Sequence, residues 1–183
     1  MNKAYSIVWN SSRQTWVVAS ELARGHGFVL AKNIILSMAI ASSIGASWAQ
    51  NAVTHIGKNK HEENTSVSTN QIVYSGGYTS NVTILQGGTQ NVNENGHTSS
   101  THINKLGTQV VGNLGSSFDT IVSSGGLQRV SSGGVTYATN LSGGAQNIYN
   151  LGHASSTIIF NGGNQTILSG GISEDTNISS GGQ

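Results

Sequence analysis

Beyond residue 70 the apolar positions fall two apart rather than three or four apart, and one short pattern returns every eighteen or nineteen residues. Gln71, Gln90, Gln109, Gln128, Gln146, Gln165 and Gln183 mark the repeat, with gaps of 19, 19, 19, 18, 19 and 18 residues. Two residues after a Gln comes Val73, Val92, Val111, Val130, Ile148 or Ile167. These are β-branched side chains that favour strands and point into a core. A second apolar position is filled by Ile84, Ile103, Val122, Ile159 and Ile178, and two residues before each stands Val82, Thr101, Thr120, Thr157 or Thr176. Spacing of two puts both on one face of a strand.

Two glycine columns divide the runs. One comprises Gly77, Gly96, Gly115, Gly134, Gly152 and Gly171, the other Gly88, Gly107, Gly126, Gly144, Gly163 and Gly182. Their expected use is to form tight corners at positive φ. The unit from Gly134 to Gly144 is one residue short, and Leu141 is expected to fill its apolar place beside Asn140. A unit of this length cannot enclose a core by itself and must stack on its neighbours. The expected fold class is all-β: a right-handed parallel β-helix of about six strand-loop-strand coils over residues 71–183, with coils about 4.8 Å apart. Glutamines in register can bond along the stack as amide ladders do, although the pattern leaves open whether they face in or out.

The preceding segments read differently. Residues 50–70 are polar, mixed in charge and lack a clear period, and are expected to form a linker or cap. Residues 1–49 read as an extended export signal, in which a charged stretch precedes an apolar run ending at Ile44, and small residues Ser47 and Ala49 flank Trp48. This places cleavage between Ala49 and Gln50. The apolar core from Ile34 to Ile44 is shorter than the roughly 20 residues a membrane helix needs, so no stable span is expected in the mature chain.

Composition narrows the chemistry. With no cysteine, no proline and 8% charged residues, the chain has no disulfide framework and no thiolate metal site. Past residue 50, four bases face six acids, a net charge of −2 that gives no phosphate-tracking patch and no expectation of nucleic acid. Asp119 and Asp175 share a column three coils apart, which is roughly 14 Å, too far for the approximately 5 to 9.5 Å of a glycosidase pair. His97 and His153 are also three coils apart, and His102 on the adjoining strand completes no ligand set. No catalytic residue, metal site or cofactor is expected.

The spaced residues Met1-Asn2-Lys3, Tyr5, Trp9-Asn10, Trp16-Val17 and Ser20-Glu21-Leu22-Ala23-Arg24-Gly25 resemble the extended signal peptide region of Gram-negative autotransporters. The repeats, such as Ile121-Val-Ser-Ser-Gly-Gly-Leu-Gln-Arg-Val-Ser-Ser-Gly-Gly134, resemble the passenger repeats of AIDA-type, self-associating adhesins. The resemblance implies export through the Sec translocon to the cell surface, outer membrane or extracellular space. It also implies adhesion, autoaggregation and biofilm formation, with like passengers on neighbouring cells or host-surface receptors as partners. Heptose attachment to repeat hydroxyls is implied too, with Thr79, Thr98, Ser117, Thr136 and Ser173 as acceptors and Ser80, Ser99 and Ser155 beside them. Family members continue into a translocator barrel, whereas Gln183 opens a new repeat. The expectation is therefore a truncated passenger, periplasmic if it cannot translocate itself. The alternative is a non-functional remnant or inert stalk.

Overall fold

The computed structural model describes residues 5–10, 15–20 and 52–183, which fall in two separate units. In the first, β1 (Tyr5–Asn10) pairs antiparallel with β2 (Thr15–Ser20), placing Trp9 opposite Trp16.

The second unit is a parallel β-solenoid. Each coil contributes one strand to each of three seven-stranded sheets. The first sheet holds β3 (Val53–Ile56), β6 (Asn70–Val73), β9 (Thr89–Val92), β12 (Thr108–Val111), β15 (Leu127–Val130), β18 (Ala145–Ile148) and β21 (Asn164–Ile167). The second holds β4 (His61–Glu63), β7 (Tyr78–Ser80), β10 (His97–Ser99), β13 (Ser116–Phe118), β16 (Val135–Tyr137), β19 (His153–Ser155) and β22 (Ile172–Glu174). The third holds β5 (Ser66–Val67), β8 (Thr83–Ile84), β11 (His102–Ile103), β14 (Ile121–Ser123), β17 (Asn140–Ser142), β20 (Ile158–Ile159) and β23 (Asn177–Ile178).

The six coils expected over residues 71–183 are present, and residues 53–67, expected to be a linker or cap, form a seventh before them. Val53 pairs with Asn70, His61 with Tyr78 and Ser66 with Thr83. This coil is only 17 residues long and carries Thr54 where later coils carry Gln, so its period is lost in the sequence even though Ile56 and Val67 are buried.

Strict register turns each repeat position into a column. Val73, Val92, Val111, Val130 and Ile148 stack inside the first sheet, and Ile84, Ile103, Val122, Leu141 and Ile159 inside the third. Leu141 pairs with Val122 and Ile159, as the short repeat requires. The missing residue is absorbed in the corner at Ser142-Gly143-Gly144.

Between the two aliphatic stacks runs a polar one. Among the described residues, fourteen buried polar side chains match fourteen buried apolar ones, so the interior is not a simple apolar core. Such a composition is tolerable only if hydrogen bonds satisfy it. Among the described residues, Thr65 Oγ1 is the one buried side-chain polar atom without a partner.

The glycine columns have a different cause from the one expected. Positive φ falls one residue earlier, at Gly76 (76°), Gly87 (78°) or Gly125 (75°). The column glycines themselves are close-approach positions: a Cβ at Gly77 would lie 2.1 Å from the Ile56 carbonyl oxygen, and one at Gly88 2.1 Å from that of Val67. They are glycine because each coil's corner rests on the backbone of the coil before it.

Candidate functional surface and buried polar spine

The glutamines face inward. From Gln90 onward each side-chain amide donates to the glutamine one coil earlier: Gln90 to Gln71, Gln109 to Gln90, Gln128 to Gln109 and Gln165 to Gln146 at 2.8 Å, and Gln146 to Gln128 at 2.7 Å. Thr and Ser from the second sheet and its following corner line the ladder. Gln90 Nε2 donates to Thr79 Oγ1 at 3.2 Å, and Ser117 Oγ and Thr139 Oγ1 donate to Gln109 and Gln128 at 3.2 Å.

The expected sugar acceptors fall on this inward face. Thr79, Thr98, Ser117 and Thr136 are fully buried, and Ser173 is half-buried with its hydroxyl donating to Gln165. Each is the middle residue of a three-residue strand. Period two therefore turns it inward and turns its neighbours out. In the folded coil the first four are closed to solvent. Ser80, Ser99 and Ser155, beside them, are half-exposed on the outer face.

Chemistry open to solvent lies on the outer faces. On the second sheet Phe118 and Tyr137 stack with ring centroids 5.2 Å apart and planes 10° apart. Tyr78 Oη lies 2.6 Å from Ser99 Oγ. His97 bonds Ser116, while His153 lies 3.4 Å from Glu174. His102 stands on the third sheet and bonds Ser123 at 2.9 Å. The structure therefore gives the three histidines separate partners and does not bring them together.

Asp119 and Asp175 occupy the corner between the second and third sheets, at φ 51° and 52°. That corner is left-handed in every coil, through Asn64, Asn81, Ser100, Asp119, Ala138, Ser156 and Asp175. Asn and Asp tolerate this conformation better than most residues, which accounts for the column without a carboxylate pair.

Charge is divided around the circumference. Glu63 and Glu174 lie exposed on the second sheet, and Asp119 and Asp175 on the corner beside it. Arg129 lies exposed on the first sheet, Lys105 on the corner leading into it, and Lys58 and Lys60 on the corner leading out. Glu94 breaks the pattern, and Glu62 is turned toward the interior, where it accepts a hydrogen bond from Gln71. The sequence concealed this division because the alternating charges sort by side only once the coil is wound.

Comparisons with known proteins complete the picture. Residues 1–49 match the family described as Extended Signal Peptide of Type V secretion system. Over 76 residues the chain is 62% identical to autotransporter adhesin AIDA-I of Escherichia coli, a match that covers 42% of this chain and 6% of that protein. The chain is thus similar to the AIDA-type autotransporter adhesins. The crystal structure of a TibC-catalyzed hyper-glycosylated TibA fragment aligns at a TM-score of 0.47 with 24% identity, covering 73% of this chain and 70% of that one. By the family match over residues 1–49 the AIDA-like chain carries an export leader of the type V kind, and neither sequence match supports periplasmic residence. The cleavage point at Ala49 and Gln50 lies outside the described residues.

Proposed function

We propose that this chain is a passenger segment of a surface adhesin, non-catalytic, whose solenoid binds like copies side to side and so promotes adhesion, autoaggregation and biofilm formation. The leader is cut after Ala49, and any attached sugars sit on outward hydroxyls such as Ser80, Ser99 and Ser155. The reading is supported by the 62% identity to AIDA-I and rests on one observation: the exposed acids other than Glu94 lie on the second sheet and the corner after it, and the exposed bases on the first sheet and the corners flanking it.

A copy offering its acidic edge to the basic side of another makes a contact that leaves both copies with a free edge. Such heterologous contacts build open arrays rather than closed dimers. Each exposed ion pair contributes only about 0.2–1 kcal/mol. Adhesion therefore depends on many contacts formed together between two cell surfaces.

The test displays the passenger on cells and measures settling. Reversing the basic side (Lys105→Glu with Arg129→Glu) and reversing the acidic side (Asp119→Lys with Asp175→Lys) should each abolish settling, while mixing the two cell populations restores it. Unchanged settling of both variants, or failure of the mixture to recover, would overturn the pairing of sides.

A further inference from the structure

The amide ladder has a direction and an end. Every ladder amide points its N–H groups toward the N-terminal coil, so the side-chain dipoles of Gln90 through Gln165 are aligned head to tail. The strands run around the coil, so their small dipoles lie across the stacking axis and not along it. The ladder is thus the polarised element of the solenoid, with its positive end at Gln71.

At that end the pattern changes. Coil one presents Thr54 in the glutamine column, and Gln71 Nε2 turns instead to Glu62 Oε2 at 3.3 Å. Glu62 occupies the inward column that holds Thr79, Thr98, Ser117 and Thr136 in the coils above. It is the one carboxylate among the described residues in that column, and it meets the donor end of the ladder rather than its acceptor end.

We propose that Glu62 is the electrostatic terminator of the ladder: its carboxylate stabilises the whole aligned array, much as an acidic side chain stabilises the N-terminus of a helix. Hydrogen bonds in a chain polarise one another, so the carboxylate acts on glutamines it does not touch. A merely local Gln71–Glu62 contact would not.

A double-mutant cycle separates the two cases. Glu62→Thr gives coil one the residue of the coils above, and Gln128→Leu interrupts the ladder four coils away. Sites this far apart without shared partners behave additively. With the full chain in urea, Glu62→Thr is expected to lower the unfolding midpoint, and the shift is expected to shrink by at least half in the Gln128→Leu background. Glu62→Gln, which keeps an acceptor but loses the charge, should fall between wild type and Glu62→Thr. An equal shift in both backgrounds, or no shift on Glu62→Thr, overturns the proposal. If Gln128→Leu leaves too little folded chain, Gln165→Leu at the half-buried end shortens the ladder by one amide, and there a smaller but measurable shrinkage of the shift supports the proposal and an unchanged shift overturns it.

Discussion

Gln128 donates its side-chain amide to the Gln109 carbonyl oxygen at 2.8 Å, one coil away, with both side chains fully buried. Gln128 in turn accepts from Gln146 at 2.7 Å and from Thr139 at 3.2 Å. Gln128→Leu keeps much of the volume but strips acceptors from Gln146 and Thr139 and a donor from Gln109. Each buried group left unpaired costs about 1–3 kcal/mol, moderated here because neighbouring hydroxyls still reach the ladder. The expected loss is about 2–4 kcal/mol in equilibrium denaturation. A loss below about 0.5 kcal/mol, the range of an ordinary surface change, would show that the ladder contributes little.

Adjacent glycines should respond differently to the same methyl group. At Gly87 an added Cβ meets nothing within 4 Å, and the difficulty is the φ of 78°. Gly87→Ala is expected to cost about 1–2 kcal/mol, the strain of a left-handed alanine. At Gly88 the Cβ would stand 2.1 Å from the Val67 carbonyl oxygen, so the corner must lift from the coil beneath it. Gly88→Ala should lower the melting temperature further than Gly87→Ala. The reverse order would assign the column to backbone conformation rather than to contact between coils.

How much of this was legible in the sequence depends on the periodicity of each feature. The aliphatic stacks and the place of Leu141 follow from spacing two and repeat length, both of which survive in the letters. The direction of the glutamines is less plain, because an amide is costly to bury unless it is hydrogen-bonded, which sets its polarity against the strand face it shares with the valine two residues on. Once Val73 and Val92 are known to be buried, parity places Gln71 and Gln90 with them. The same parity turns Thr98 in and Ser99 out. The first coil escaped notice because its 17-residue length and Thr54 break the phase at one stroke, and the charge division because it exists only around a circumference.

The inward and outward hydroxyls supply a third prediction. Thr98 Oγ1 accepts from Thr79 Oγ1 at 2.9 Å and lies 2.9 Å from Thr101 Oγ1 in the interior. Thr98→Val is expected to cost about 1–2 kcal/mol by leaving those hydroxyls underbonded. Peptide mapping by mass spectrometry of the exported chain, made with a glycosyltransferase that modifies it, should find sugar on Ser80, Ser99 or Ser155. It should leave Thr79, Thr98, Ser117 and Thr136 bare. Sugar on any of those four in folded chain would contradict their burial.

Repeat length should matter only through the strands. The coil between Gln128 and Gln146 is one residue shorter than its neighbours, yet Gln146 still reaches Gln128 because the missing residue belongs to the corner at Ser142-Gly143-Gly144. Inserting a glycine between Gly143 and Gly144 restores the longer corner that Ser123-Ser124-Gly125-Gly126 already uses, and should change stability by no more than about 1 kcal/mol, since loop length is thermodynamically cheap. The same glycine between Ala145 and Gln146 enters β18, and a slip of one residue reverses every side chain that follows. Either Gln146 and Ile148 face solvent or the strand must bulge, and the loss should reach several kcal/mol, about that of removing a buried aliphatic and a buried hydrogen-bond partner together. Equal tolerance of the two insertions in thermal denaturation would mean that register is held by the corners and not by the buried columns.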